Sequence, residues 1–444
     1  MISSNETAFL NFRRNRFTTG NPGPDSITVG HCAKADLLFK QGDLDEAQRY
    51  YTRALQVNPD NLEAFDGLGA VSLLNGDFEK AISCYGHITS VEETAATRRH
   101  LGNAFFYSGK FDEGLRELRR ALEIDPQDIE ARLGIAFAHL LFGQMREGWA
   151  LYECRLNKPS IFARTYSEPI WTGEDIRGKR ILIHSEQGLG DSLQFVRYVK
   201  MVAARGARVV LEVQPELLRL LSNLKSAEQV ISVGDIYAPV SWRCPMLSLP
   251  RVFGTELSTI PSLVPYLSPD PQEADLWSDR LARPGHFKIG LAWAGSPQHP
   301  RNRERSIPFS LLLPLFHLPQ VSVWSLQKGA AAEQAQTLGA RVEMGDLASS
   351  CRDMAETAAA IMALDLVICV DTAVAHLAGA LGKPVWILLT HVPDWRWFLH
   401  REDSPWYTTA KLFRQPVTGA WEPVITRVAF ELEKLASIRL SARA

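Results

Sequence analysis

The sequence lacks paired cysteines and long apolar runs, and these absences exclude several classes of protein. Six cysteines are scattered along the chain, and no two of them have the C-x-x-C spacing of zinc sites and redox motifs. A disulfide framework and a cysteine-based zinc site are therefore not indicated. No apolar run approaches the roughly 20 residues of a membrane-spanning helix. The cysteines are Cys32, Cys84, Cys154, Cys244, Cys351 and Cys369.

The sequence also lacks an excess of charge of either sign. It has 48 lysines and arginines against 50 aspartates and glutamates, which gives a formal net charge of −2. A global basic field for nucleic acid or for an anionic membrane is therefore not expected. The first residues, MISSNETAFLNFRRNRF, contain no apolar core of a signal peptide, so we expect a cytoplasmic location.

The composition is that of a folded protein, with 46% hydrophobic and 22% charged residues. A length of 444 residues predicts two or three domains. Residues 1–27 are polar and contain the stretch TTGNPGPDS, which predicts a flexible leader.

Residues 28–157 repeat with a period of 33 or 34 residues. Small residues recur at Ala47, Ala81, Gly114 and Gly148, and larger residues recur with the same spacings at Tyr51, Tyr85, Leu118 and Tyr152. This is the tetratricopeptide pattern of paired helices that cross at small residues. It predicts an α-solenoid with a concave face, which we expect to bind a protein or peptide. The alternative is a solenoid that only supports the next domain.

The pattern changes at Arg180, after a connector at 158–179 that contains prolines and glycines. A short apolar strand at 181–183 is followed by the turn HSEQGLGD, a helical stretch at 192–205 and another strand at 209–213. Glycine-rich turns at the carboxyl end of a strand mark ligand sites in open α/β sheets. The turn is not G-x-G-x-x-G, which disfavours a dinucleotide-binding dehydrogenase.

The stretch 366–389, LVICVDTAVAHLAGALGKPVWILL, predicts a strand, a helix and a second strand. Thr372 is suited to cap the helix, and His376 lies four residues further on, on the same helical face. The free backbone N–H groups of such a helix start can bind a phosphate or another anion. The alternative is an ordinary core unit with a capping threonine and a satisfied histidine.

The string DTAVAHLAGALGKP resembles the donor-site motif of the heptosyltransferase-like glycosyltransferases, which have the GT-B fold. The resemblance implies that Thr372, Ala373 and His376 hold the phosphates of a nucleotide-sugar, with Asp371 beside them. With its repeats, the chain is also similar in layout to O-GlcNAc transferases and to repeat-bearing flagellin glycosyltransferases. The expected fold class is α plus α/β, in which a tetratricopeptide α-solenoid precedes two Rossmann-like parallel α/β domains.

In this family a Gly-Asp pair opens the first helix of the acceptor half, and its aspartate is thought to act as the base. The matching residue is Asp191, in a loop that also contains Gly188 and Gly190. An acceptor hydroxyl needs a carboxylate or histidine in reach to take its proton. The alternative is that Asp191 only caps its helix. Glu186 and His184 are further candidates for the base.

The donor half contains a basic loop after its first predicted strand. The resemblance matches Gly295, Ser296 and Arg305 to residues that contact donor phosphate, with Arg303 as the second choice of arginine. Guanidinium groups bind phosphate in a bidentate manner. A solvated basic loop is the alternative for either arginine.

Gln327 and Lys328 follow the next predicted strand and are placed to contact the nucleotide or its phosphates. We expect the acceptor half to occupy 180–270 and the donor half 283–415. The resemblance implies that a terminal helix within 416–444 crosses back onto the first half.

Together these patterns predict a glycosyltransferase that moves a sugar from a nucleotide-sugar to an acceptor hydroxyl, on a protein recruited by the repeats. No cofactor or metal is expected, and the resemblance implies inversion at the sugar carbon. Two alternatives stay open. One is a nucleotide-sugar epimerase or hydrolase on the same fold, and the other is a non-catalytic scaffold with a relic α/β region.

Overall fold

The computed structural model describes residues 26–158, 165–337 and 343–442. The predicted leader therefore lies almost wholly outside the described residues, as does the part of the connector at 159–164. Among the described residues, no helix is both long enough and apolar enough to cross a membrane.

The described chain forms two compact units, and each unit contains several separate segments of the chain. The repeat unit consists of the residues up to Leu140, together with Leu151–Lys158 and Pro297–Glu304. The α/β unit consists of the other described residues, among them Leu141–Ala150. A loop from the predicted donor half therefore belongs to the repeat unit.

The first part of the described chain is a run of paired α-helices, as the 34-residue period predicts. Their bounds are α1 (Ser26–Gln41), α2 (Leu44–Val57), α3 (Leu62–Asn75), α4 (Phe78–Val91), α5 (Ala95–Tyr107), α6 (Phe111–Ile124), α7 (Ile129–Leu141) and α8 (Met145–Tyr152). A 3₁₀ helix, Glu153–Asn157, follows α8.

Local sequence signals set the ends of these helices. The side chains of Asp43, Asn61 and Asp77 each accept a hydrogen bond from the backbone N–H three residues further on. Such N-caps satisfy one of the free donors at a helix start. Gly42 and Gly76 have φ angles of 81° and 76°, which glycine adopts without strain and which allow the tight turn between helices.

The repeating small residues lie where two helices approach closely. A Cβ atom at Gly102 of α5 would lie 3.0 Å from the carbonyl oxygen of Gly114 in α6. The larger repeated residues Tyr51, Tyr85 and Leu118 are completely buried. The structure thus confirms the predicted helical repeat region.

The first α/β half is a four-stranded parallel sheet in the order β3-β2-β1-β4. Helices follow its strands and cover the sheet. The elements are β1 (Arg180–His184), α9 (Leu189–Phe195), α10 (Val199–Ala204), β2 (Arg208–Val213), α11 (Pro215–Leu221), β3 (Gln229–Ser232), β4 (Trp242–Pro245) and α12 (Leu249–Val252).

The second half is a six-stranded parallel sheet in the order β10-β9-β8-β5-β6-β7. The elements are α13 (Pro271–Arg280), β5 (Phe287–Ala292), α14 (Asn302–Arg305), β6 (Val321–Ser325), α15 (Glu333–Thr337), β7 (Met344–Asp346), α16 (Met354–Met362), β8 (Leu366–Val370), α17 (Ala373–Ala380), β9 (Val385–Leu389), β10 (Ala410–Arg414) and α18 (Trp421–Ser441). A 3₁₀ helix, Phe309–His317, follows α14. The two parallel sheets confirm the predicted α/β class.

The strand orders explain where a ligand site can form. The first sheet reverses its order between β1 and β4, and the second reverses between β8 and β5. Ligands of open α/β sheets bind beyond the carboxyl ends of the strands at such a reversal. The helices α9 and α17 begin just after β1 and β8, so both start at these positions.

The terminal helix α18 departs from its expected place. Its buried residues belong to the core of the six-stranded sheet, where they pack with Phe413 and Trp386. The resemblance implied a helix that crosses back onto the first half, but the apolar stripe of α18 covers the second half instead. The buried residues of the stripe are Trp421, Val424, Ile425, Val428, Leu432 and Ala436.

Candidate active site

The starts of α9 and α17 pack against each other within the α/β unit. A Cβ atom at Gly190 would lie 2.8 Å from Cδ2 of His376 and 3.6 Å from Cα of Ala373. Since real Cβ atoms do not approach so closely, only glycine fits at position 190. The contact brings the predicted acceptor-side loop and the predicted phosphate-binding helix together.

Asp191 is tied to both sides of this contact. One carboxylate oxygen accepts a hydrogen bond from the backbone N–H of Gly188 at 2.9 Å, and the other forms an ion pair with Arg396. Burial raises the pKa of Asp191, although the Arg396 charge acts in the opposite direction. Asp191 therefore caps α9, as the alternative interpretation held, and also presents a carboxylate in the cleft.

Arg396 is a site residue that the sequence interpretation missed. Its Nε donates to Oε1 of Gln194 at 2.8 Å, and its Nη1 donates to Oδ1 of Asp394 at 2.9 Å. The guanidinium carbon lies 4.2 Å from the centre of the Trp395 ring. Arg396 thus connects the loop after β9 with α9, and the only local signal for it was the polar and aromatic string that follows β9.

Thr372 and Asp371 occupy the start of α17. The Thr372 hydroxyl accepts a hydrogen bond from the backbone N–H of Val374 at 3.2 Å, as expected for an N-cap. Burial and the nearby Asp394 raise the pKa of Asp371 to about 6, while Arg305 and Arg396 act to lower it. The helix start thus combines free backbone donors with a carboxyl group that gains its proton at an unusually high pH.

His376 is buried one turn inside α17. Its Nδ1 lies 2.8 Å from the Tyr407 hydroxyl, and its ring stacks on Trp397 with centroids 5.4 Å apart. Burial, and then the charge of Arg396, lower the pKa of His376 to about 3. The imidazole is therefore neutral at pH 7.

The guanidinium group of Arg305 packs against Gly295. A Cβ atom at Gly295 would lie 2.4 Å from Nη2 of Arg305, so the guanidinium group rests directly on this glycine. The charge of Arg305 acts to lower the pKa of Asp371. Ser296 directly follows Gly295 in the same loop.

Arg303 points elsewhere. Its Nη1 donates to Oδ1 of Asn75 at 3.0 Å, and its Nη2 lies 3.2 Å from Oδ1 of Asp45. Both partners belong to the repeat unit, as Arg303 does. Arg303 therefore contacts the repeat helices, whereas Arg305 packs against Gly295.

Gln327 and Lys328 are held by backbone groups. Oε1 of Gln327 accepts hydrogen bonds from the backbone N–H groups of Trp293 and Ala294, at 2.9 and 2.8 Å. Nζ of Lys328 donates to the carbonyl oxygen of Cys351 at 2.6 Å. Gln327 thus shapes the loop that leads to Gly295, and Lys328 fastens the loop before α16.

His184 and Glu186, the other candidates for a base, have structural contacts. His184 is completely buried, stacks on Tyr166 at 4.3 Å, and has its Nε2 3.2 Å from Nη1 of Arg243. Oε1 of Glu186 accepts a hydrogen bond from the backbone N–H of Leu247 at 3.0 Å. Of the three candidates, Asp191 is the one that the structure places against α17.

Comparisons with known proteins find similarity in both the repeat region and the α/β region. The family described as glycosyltransferase family 9 (heptosyltransferase) matches residues 319–397, and tetratricopeptide repeat families match residues 32–85 and 102–143. Protein FlbA of Caulobacter vibrioides is 28% identical over 423 residues, which cover 88% of this chain and 70% of FlbA.

Solved structures show more distant similarity. The E. coli ADP-heptose lps heptosyltransferase II is 14% identical and has a TM-score of 0.46, over 58% of this chain and 98% of the other. A mutant O-GlcNAc transferase of Thermobaculum terrenum is 16% identical and has a TM-score of 0.34, over 81% of this chain and 82% of the other. The chain is thus similar to tetratricopeptide-repeat proteins in its first part and to glycosyltransferase family 9 in its last part.

Proposed function

We propose that the chain transfers a sugar from a nucleotide-sugar to a hydroxyl group of a protein acceptor. The observation that carries the proposal is the contact between the starts of α9 and α17, with the Asp191 carboxylate on one side and the Thr372 cap on the other. A base for the acceptor and a site for the leaving phosphate are then held in one cleft.

The leaving diphosphate would bind at the start of α17. The backbone N–H groups there and the positive end of the helix dipole favour an anion. Arg305, which rests on Gly295, would supply a bidentate positive charge. These groups would stabilise the negative charge that develops on the phosphate, and the proposal assigns no step to a metal ion.

Asp191 would act as the general base. As the acceptor oxygen bonds to the anomeric carbon, its proton passes to the Asp191 carboxylate and the bond from that carbon to the phosphate oxygen breaks. The electron pair of the broken bond leaves with the diphosphate. Attack from the face opposite the leaving group would invert the anomeric carbon. Arg396 would have to loosen its ion pair with Asp191 as the acceptor hydroxyl enters.

The repeats would bind the protein acceptor. Solenoids of this kind present an extended concave surface, and such surfaces suit chain segments of a partner protein. A nucleotide-sugar epimerase or hydrolase would have no use for this surface, which is why transfer is preferred here.

The test is a transfer assay with radiolabelled nucleotide-sugars and the protein fraction of the source cell. Wild type should label a protein band, and Asp191→Asn should lower the initial rate by about 10²- to 10⁴-fold, the usual contribution of a general base. Release of free sugar or epimer without labelled protein would favour an epimerase or hydrolase. Equal activity of Asp191→Asn and wild type would refute the assignment of the base.

A further inference from the structure

The Asp191 carboxylate is held by one donor on each of its oxygens. Oδ2 accepts the hydrogen bond from the backbone N–H of Gly188 at 2.9 Å, and Oδ1 forms the ion pair with Arg396. Each carboxylate oxygen has two lone pairs, so either one can accept a further hydrogen from an acceptor hydroxyl. The two donors thus fix the direction of the carboxylate, while its side chain stays 18% exposed to an incoming ligand.

Arg396 is anchored by contacts that do not involve Asp191. Nε donates to Gln194 at 2.8 Å, Nη1 donates to Asp394 at 2.9 Å, and the guanidinium group stacks on the Trp395 ring. The third nitrogen, Nη2, is the one that contacts Asp191. The ion pair can therefore loosen as a hydroxyl enters, because the other contacts keep the guanidinium group beside the base.

The charge of Arg396 opposes surroundings that disfavour an ionised Asp191. Burial raises the pKa of Asp191, and the carboxylates of Asp394 and Glu186 raise it further. Arg396 acts in the opposite direction, more strongly than the backbone N–H of Gly188 does. Without Arg396, the carboxylates of Asp191 and Asp394 would lose the cation that they share, and like charges in one site disfavour ionisation.

Other charged or titratable groups lie on the elements around α9. They are Glu186 before α9, Arg197 and Tyr198 in the 3₁₀ helix Val196–Tyr198, Asp371 and His376 at the start of α17, and Asp394 after β9. Burial raises the pKa of Asp371 to about 6 and lowers that of His376 to about 3. Since Asp371 changes its charge near pH 6, a test must observe Asp191 by its own signal.

The last helix of the repeat pattern, α8, supports Arg396 from behind. Trp149 of α8 lies within the α/β unit, is 2% exposed, and donates from Nε1 to the carbonyl oxygen of Thr255 at 3.2 Å. Its ring meets the Trp395 ring edge-on at 5.2 Å and the ring of Phe195, the last residue of α9, at 6.2 Å. Trp149 thus packs against both the ring under the guanidinium group and the helix that carries the base.

We propose that Arg396 is a positioning residue that keeps the Asp191 carboxylate ionised and fixed in direction until the acceptor hydroxyl reaches it. Trp149 is a second positioning residue, which holds Arg396 in place through Trp395. The role of Asp191 as the base rests on the proposed function, whereas its control by Arg396 does not. A helix of the repeats would thereby set the charge of the base without touching the substrate.

The ionisation of Asp191 is measured by ¹³C NMR on the full-length protein labelled with carboxyl-¹³C aspartate. The Asp191 signal is identified by its loss in Asp191→Asn. A neighbouring opposite charge lowers the pKa of an aspartate by about 1–3. The Asp191 titration should therefore move to higher pH by about this amount in Arg396→Gln, and by less in Arg396→Lys, which keeps the charge. An unchanged titration in Arg396→Gln would overturn the proposal.

The transfer assay separates this role from a merely structural one. The acid limb of the kcat/KM profile reports the base of the free enzyme, so in Arg396→Gln it should move to higher pH together with the NMR titration. A loss of activity by the same factor at every pH would show a structural role and refute the proposal. If the wild type transfers no sugar, the proposed function fails, while the NMR titration still decides whether Arg396 controls the charge of Asp191.

The part played by Trp149 is tested with Trp149→Leu and Trp149→Phe. Loss of the ring should let Arg396 move away, so the Asp191 titration should move to higher pH in Trp149→Leu, and by less in Trp149→Phe, which keeps a ring. Trp277→Leu is the control and should titrate as the wild type does, because Trp277 is also buried but its ring lies 4.7 Å from the guanidinium carbon of Arg280. Equal titrations in Trp149→Leu and Trp277→Leu would refute the role of Trp149.

Discussion

At the scale of single residues, Asp371 is a carboxyl group whose surroundings oppose its charge. Burial and Asp394 raise its pKa to about 6, against about 3.9 in an unfolded chain. The folded protein therefore holds this proton more tightly than the unfolded chain does. The resulting stabilisation is fully present below the unfolded pKa and is lost as the pH rises through the folded pKa.

Replacing Asp371 with asparagine should therefore stabilise the protein without ligand at pH 7. We expect the free energy of unfolding to rise by about 1–3 kcal/mol at pH 7 and to change little near pH 4. Urea unfolding at both pH values measures the difference. Asp60→Asn, on the exposed surface, serves as the control for the loss of one negative charge. A gain of the same size at both pH values would contradict the raised pKa.

Gly190→Ala should disturb the contact between α9 and α17. The new Cβ atom would meet His376, and overpacking of this kind costs about 1–3 kcal/mol. The midpoint temperature of thermal unfolding and the transfer rate should both fall. Gly86→Ala is the control, because a Cβ atom at this helical position meets nothing within 4 Å and should be neutral or stabilising. Equal behaviour of the two variants would refute the close approach.

At the scale of secondary-structure elements, the start of α17 combines two roles that mutation can separate. Thr372 caps α17 with a hydrogen bond of 3.2 Å, and Asn61 caps α3 in the repeats with one of 2.7 Å. Both caps satisfy a backbone donor, but only the helix start at Thr372 is proposed to bind phosphate.

Thr372→Ala and Asn61→Ala should each lower the free energy of unfolding by about 1 kcal/mol, the usual cost of losing an N-cap. Only Thr372→Ala should also weaken nucleotide-sugar binding, because its hydroxyl lies at the proposed phosphate site. Chemical unfolding and titration calorimetry measure the two effects. Equal nucleotide affinities in the two variants would place the phosphates elsewhere.

Arg303 and Arg305, which both lie in α14, have different expected effects. Arg305→Ala should weaken nucleoside diphosphate binding by about tenfold or more, as the loss of a charged hydrogen bond of 1.5–3 kcal/mol predicts. Arg303→Ala should leave that affinity unchanged, because Arg303 contacts Asp45 and Asn75. Titration of both variants with the same nucleotide decides this, and similar losses in both would contradict the assignment.

The sequence predicted the helices and strands better than the side-chain contacts between distant residues. The repeat period identified the paired helices, and the apolar runs around Thr372 identified β8, α17 and β9, because these signals lie within short stretches. Arg396 and Tyr407 gave no such signal, since they meet Gln194 and His376, which lie far away in the sequence, only in the folded chain. The contacts of Arg303 with Asp45 and Asn75 gave no signal for the same reason.

At the scale of the whole molecule, the site is assembled from two sheets that are separate in sequence. Asp191 follows the first strand of one sheet, and Thr372 follows a central strand of the other. Each sheet reverses its strand order at the position that contributes to the site, so the fold itself explains why distant stretches would supply the proposed base and the proposed phosphate site.

This division of roles is tested most directly by thermal unfolding with UDP, GDP, ADP, CMP and their sugars. Wild type and Asp191→Asn should both be stabilised by one nucleotide, by about 2.7 kcal/mol at 100 times its dissociation constant. Arg305→Ala should lose most of this stabilisation. No stabilisation of wild type by any of these ligands, or an undiminished effect in Arg305→Ala, would contradict a nucleotide-sugar site at the start of α17.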